Sequence, residues 1–164
     1  MEYLSSNVIK KMIIFFADDV IRINHALKVY SFAKSIGDIE GLVIKEQAIL
    51  EIAAILHDVG IKISEEKYNS AAAHYQELEG PPIAIELLKE FDLEVDIVKR
   101  VCFLIGNHHT YKNIDAVDFQ ILVEADFLLN IFECDMNQIQ IKAIKEKYIK
   151  TSTAALYINT LYKS

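Results

Sequence analysis

An all-α fold, one helical bundle of about six to eight helices spanning residues 1 to 164, is what this sequence predicts, and three observations carry that reading. Chain breakers are few: two adjacent prolines, Pro81 and Pro82, and five glycines, at 37, 41, 60, 80 and 106, cut the chain into pieces of helical length. Within those pieces apolar residues recur at three- and four-residue intervals, the spacing of one helix face. No stretch alternates apolar and polar residues between hairpin turns, so strands are not expected.

A short helix is expected over residues 5 to 16. Asp18 or Asp19 is a plausible N-cap for the next, in which Ile21, His25, Val29 and Phe32 share a face and Gly37 marks the end. A further helix runs from about Val43 to His57 and stops near Gly60. Residues 61 to 79, rich in polar side chains, read as the least ordered connection. The stretch IAIELLKEF then starts a helix whose first turn suits Pro82. Two more cover Val95 to about Asn107 and Asp115 to Phe132. The tail, NQIQIKAIKEKYIK and TSTAALYINTLY, supplies two amphipathic helices that either complete the core or form a homodimer face. There is no fixed-period repeat, low-complexity segment or linker.

With 52% hydrophobic and 25% charged residues the chain has the balance of a folded globular protein. A net charge of −7 argues against a binder of nucleic-acid polymers or anionic membranes, which needs a surplus of Lys and Arg, but leaves room for a small anion held by a few local cations. The apolar run from Met12 to Phe16 is followed by Asp18 and Asp19, which is the pattern of neither a signal nor a transit peptide. No stretch reaches the roughly 18 to 20 apolar residues that span a bilayer. With only Cys102 and Cys134, distant in sequence, a reduced, cytoplasmic protein is expected.

The chemistry concentrates in AAILHDVG, where an apolar helix ends in the adjacent pair His57 and Asp58. Burying such a pair costs several kcal/mol unless something neutralises it. In FQILVEADFLLNIF, positions 119 to 132, ten of fourteen residues are apolar. Gln120 and Glu124 are four apart and read as an ordinary solvent stripe, whereas Asp126 points about 200° away from Glu124 and should be buried. No Lys or Arg occurs between Lys112 and Lys142 to pair it locally. A divalent metal held by imidazole nitrogens and carboxylate oxygens from several helices resolves His57, Asp58 and Asp126 together, and helix bundles build metal sites this way. Mixed N/O ligation without thiolates suits Mn, Fe, Co, Ni or Zn and does not select among them.

A histidine on an early helix, an adjacent His-Asp pair some thirty residues later and an aspartate on a later helix make the sequence resemble the HD-domain superfamily, with its H…HD…D pattern. The segments INHALKVYSFA, AAILHDVG, GPPIAIELL, LIGNHHT and ILVEADFLLN carry the resemblance, which covers roughly residues 18 to 132. It implies four metal ligands, His25, His57, Asp58 and Asp126. It also implies a metal-dependent phosphohydrolase that acts on a small phosphorylated substrate, with a nucleotide favoured, through a metal-activated water.

Within that resemblance Asp58 could also accept a proton from the water, and Arg22, Lys28, Lys62 and Lys112 are the cations nearest in sequence to meet phosphate charge, Lys112 reading rather as a solvated charge. Two-metal relatives add histidines, for which His74, His108 and His109 are the candidates, as second-metal or substrate residues. The first such histidine commonly lies four residues before the glycine of the GPPIA-like helix, and here Gln76 stands there, so one firmly held metal is expected and two remain open. Glu77, and less so Glu79, is a candidate general acid or base. Tyr68, Tyr75 and Tyr111 could stack on a base. Two other functions are kept open: a di-iron oxygenase of the same superfamily, which needs both metal sites, and a metal- or nucleotide-binding regulatory module without turnover.

Overall fold

The computed structural model describes residues 3–163, all of it helices and their connections. Nine α-helices and one 3-10 turn follow one another among the described residues: α1 (Leu4–Phe16), α2 (Val20–Glu40), α3 (Ile44–Leu56), α4 (Gly60–Tyr68), α5 (Ala73–Leu88), α6 (Val95–Ile105), the 3-10 turn Tyr111–Asn113, α7 (Val117–Glu133), α8 (Gln138–Tyr148) and α9 (Ser152–Leu161). None of these helices is long and apolar enough to cross a membrane.

The central helix is α3. Every residue from Ile49 to Leu56 is buried, so it is apolar nearly all round and packs against α1, α2, α6 and α7. Helix α2 lies against both α3 and α7, and α5 against α4 and α6. At its N-terminus Asp19 accepts a hydrogen bond from the backbone N–H of Arg22, the expected cap. The three helices that carry the candidate ligands are therefore mutual neighbours before any polar contact is counted.

Four local expectations are corrected, each by tertiary contacts that local pattern does not encode. First, α2 runs through Gly37 to Glu40 and ends at Gly41, whose φ of 79° is the left-handed C-cap conformation. Gly37 serves close approach instead, since a Cβ there would lie 2.2 Å from Gln47 Oε1 and 3.0 Å from Leu50 on α3. Second, the polar connection at 61 to 79 is largely helical, as α4 and the start of α5. Its polar residues pair across the two helices: Lys67 and Tyr68 both bind Glu79, and the Tyr68 and Tyr75 rings stack 4.0 Å apart.

Third, Pro81 and Pro82 lie inside α5 rather than opening a helix. Two backbone donors are missing there, and packing carries the helix through. Gly60 of α4 sits where a Cβ would be 2.3 Å from Gln76 O, and Gly80 where one would be 2.6 Å from Ile105 of α6. Fourth, Glu124 is fully buried and not part of a solvent stripe, because α8 and α9 cover that face of α7. Its carboxylate accepts hydrogen bonds from the backbone N–H groups of Lys150 and Thr151, the Thr151 hydroxyl and Gln120 Nε2.

Candidate metal centre

The chain turns between α3 and α4 at residues 57 to 59, so His57 and Asp58, about 100° apart on a continuous helix, leave it at the point where its direction changes. Both then face one spot. His25 reaches it from the first half of α2 and Asp126 from the middle of α7. His25 Nε2 lies 3.1 Å from His57 Nε2, 3.2 Å from Asp126 Oδ1 and 3.4 Å from Asp58 Oδ2. His57 Nε2 lies 3.4 Å from Asp58 Oδ2 and 3.7 Å from Asp126 Oδ1.

These separations suit a common ion, because two ligands bonded at about 2.1 Å and set at right angles are about 3 Å apart. Two imidazole nitrogens facing each other at 3.1 Å also repel, whether both bear hydrogens or both bear lone pairs, unless a shared proton or a cation lies between them. The orientation of the rings agrees. Nδ1 of His57 donates to the Ala54 carbonyl at 2.8 Å, and Nδ1 of His25 donates to Glu133 Oε2 at 2.7 Å. Fixing the hydrogen on Nδ1 turns the Nε2 lone pair inward, the usual support of a ligating histidine.

Beyond Asp58 a second group forms. His108, just past α6, donates Nδ1–H to the Ile105 carbonyl at 2.7 Å and turns Nε2 toward Asp58 Oδ1 at 3.5 Å. That Nε2 is buried and has no hydrogen-bond partner. The ligand atoms of His25, His57 and Asp58 lie within 4.8 Å of one another, as do those of Asp58, His108 and His109. Asp58 thus presents one oxygen to each group. A buried orphan nitrogen and a donor set of only imidazoles and carboxylates fit a divalent cation, with His25, His57, Asp58 and Asp126 as the firmer set.

Electrostatics follow from this crowding. Burial opposes charge on His25, but the hydrogen bond to Asp126 and the charges of Asp58 and Asp126 outweigh it and raise its pKa to about 9. Burial likewise opposes the Asp58 and Asp126 carboxylates, and the neighbouring histidines hold both well below the usual carboxylate range. Burial and the charge of His108 push His109 down to about 4.

The remaining candidates are distributed as follows. His74 is exposed against Tyr75 and stands apart from both groups. Gln76 is buried, its amide donating to Ala71 O and its Oε1 lying 3.3 Å from His109 Nε2. The Glu77 carboxylate accepts from the His109 N–H and the Thr110 hydroxyl. Arg22 is tied to Asp19 and Glu65, Lys28 leans on Glu133 at 3.7 Å, and Lys62 lies over the Phe15 ring. Sequence reasoning missed Glu133, although it lies seven residues past Asp126, two helical turns along the same face.

A family model described as the HD domain matches residues 22–151. Among solved structures the chain is similar to a predicted HD superfamily hydrolase from an uncultured Thermotogales bacterium, with a TM-score of 0.71 and 22% identity over 98% of this chain and 85% of that one. No curated protein matches the chain.

Proposed function

The chain belongs to the HD-domain family, and on that premise we propose that it is a metal-dependent phosphohydrolase acting on a small phosphorylated molecule, a nucleotide being the favoured class. The observation that carries this reading is the convergence of His25, His57, Asp58 and Asp126 on one spot, with His108 and His109 adjoining through the second oxygen of Asp58. A bound divalent ion supplies Lewis acidity there, lowering the pKa of water toward neutrality and polarising a phosphoryl oxygen.

Held far below its ordinary range, the Asp58 carboxyl is a weak base and a good ligand. His109 is placed to accept a hydrogen bond from that water: with Nε2 donating to Gln76 its Nδ1 lone pair is free, and burial beside His108 keeps the ring neutral at pH 7. Glu77 supports the loop that carries His109 and not the proton transfer itself, since its oxygens are taken by that loop.

One observation favours a second reading. The two oxygens of Asp58 face two ligand groups, as a di-iron oxygenase requires, although Gln76 in place of a histidine weakens the second group. Metal analysis of protein purified without a polyhistidine tag separates the two. About one transition metal per chain, lost in Asp126→Ala and kept in His108→Ala, with phosphate released from a nucleotide panel in Mn²⁺, supports the hydrolase. Two irons per chain with dioxygen consumption would put the oxygenase first. No metal taken up and no phosphate released would leave a binding module and end the proposal.

A further inference from the structure

A groove of about 530 Å³, a size typical of small-molecule sites, opens beside the ligand groups between the turn after α6 and the end of α8. Its lining includes His109, which belongs to the Asp58–His108–His109 group. Its walls carry Tyr111 and Tyr148, and both exposed lysines of the groove, Lys112 and Lys147, border it. The aromatic wall is anchored at the centre itself: Phe127, the residue after Asp126, stacks on Tyr148 at 4.8 Å and lies 5.2 Å from Tyr111.

The two lysines matter because the cations on either side of His25 are engaged, Arg22 by two carboxylates and Lys28 by Glu133. Among the described residues several lysines pair with carboxylates, and Lys112 and Lys147 are not among them. Lys147 Nζ sits 5.1 Å over the Tyr148 ring, which keeps it at the groove. In a chain of net charge −7, two ammonium groups from separate segments, neither paired with a carboxylate, line a cavity that His109 also lines.

We propose that this groove is the substrate arm of the centre, and that Lys112 and Lys147 hold an anionic group of a phosphorylated ligand beyond the phosphoryl that reaches His109. The inference rests on the phosphohydrolase reading. It adds a substrate with at least two anionic groups, of the nucleoside diphosphate kind, and assigns the lysines that hold the second one.

The probe is adenosine 5′-(α,β-methylene)diphosphate, which resists hydrolysis at the bridging carbon, titrated calorimetrically into the metal-loaded protein. In Lys112→Ala/Lys147→Ala the dissociation constant rises about tenfold or more and its salt dependence falls, while metal content stays at the wild-type level. Lys147→Arg, which keeps the charge, retains most of the affinity. Equal affinity in wild type and double variant, or no binding to wild type, overturns the assignment of the groove. If the lysines are needed for binding but no substrate releases phosphate, the groove stands and the hydrolase falls. If phosphate is released with an unchanged KM in the double variant, the hydrolase stands and the groove falls.

Discussion

Glu133 accepts the Nδ1 hydrogen of His25 across 2.7 Å, joining α7 to α2 on the side of the imidazole opposite the ligand group. The same helix face presents Asp126 two turns earlier, so α7 supplies both a candidate ligand and the support of another. Removing that support frees the ring to rotate and weakens its Nε2 as a donor. Glu133→Ala is expected to lower affinity for Mn²⁺ or Zn²⁺ by about 10- to 100-fold, and Glu133→Gln by less. Competition against a chromophoric chelator measures this, with helical content checked by circular dichroism. Unchanged affinity in the alanine variant would show that the contact does not position His25.

Metal-free protein should respond to pH in a defined direction. The His25 pKa rises from 6.5 to about 9 on folding, so its stabilising contribution is full below about pH 6.5 and is lost as pH climbs through 9. Asp58 and Asp126 shift the opposite way, and their contribution, present above the ordinary carboxylate range, is lost as pH falls below it. His109, held down at about 4, takes up its proton only on unfolding between pH 4 and 6.5, so stability also falls as pH drops through that range, and chelator-treated protein should have its highest Tm near pH 6.5. A bound cation must displace the His25 proton, so metal affinity should rise from pH 6 to 9 and binding at pH 7 should release protons. Calorimetry in buffers of different ionisation enthalpy reads that release, and a metal-free Tm that is flat from 6.5 to 9 would contradict the His25 assignment.

What the sequence made legible here is whatever depends on one helix at a time. Apolar spacing located the helices, and Asp126, set apart from Glu124 by angle alone, is indeed buried beside His25 and His57. What it hid depends on a neighbour. Polar residues 61 to 79 looked like a loop because Lys67, Tyr68 and Glu79 find their partners only when α4 meets α5. Glu124 looked solvated because its donors come from the backbone of residues 150 and 151, which no side-chain pattern announces. Lys147 and Tyr148 read as part of an ordinary amphipathic helix, and only the fold brings them beside His109.

Glu124 provides the contrast that separates stability from metal binding. It lies two residues from Asp126, and its carboxylate receives four hydrogen bonds, two of them from the backbone at the start of α9. Glu124→Ala leaves those donors buried and unsatisfied and should cost about 3 kcal/mol of unfolding free energy. Metal affinity of the folded fraction should stay near the wild-type value. Asp126→Ala should do the reverse, losing metal with little loss of helix content. Urea unfolding paired with chelator competition distinguishes the two patterns, and metal loss in Glu124→Ala at constant helicity would show that α9 docking also shapes the centre.

Gln76 offers the sharpest test of how many ions the centre holds. It is buried, and its Oε1 lies 3.3 Å from His109 Nε2, at the margin of the Asp58, His108 and His109 group. An amide oxygen is a weak donor to a transition metal, whereas imidazole is a strong one. Gln76→His removes the hydrogen-bond acceptor of His109 and adds a nitrogen beside two others. The metal-to-chain ratio is expected to rise from about one toward two, and His108→Ala in that background should bring it back. Should the ratio remain near one in saturating Mn²⁺, the second group lacks more than a donor, and the orphan Nε2 of His108 serves something other than a second ion.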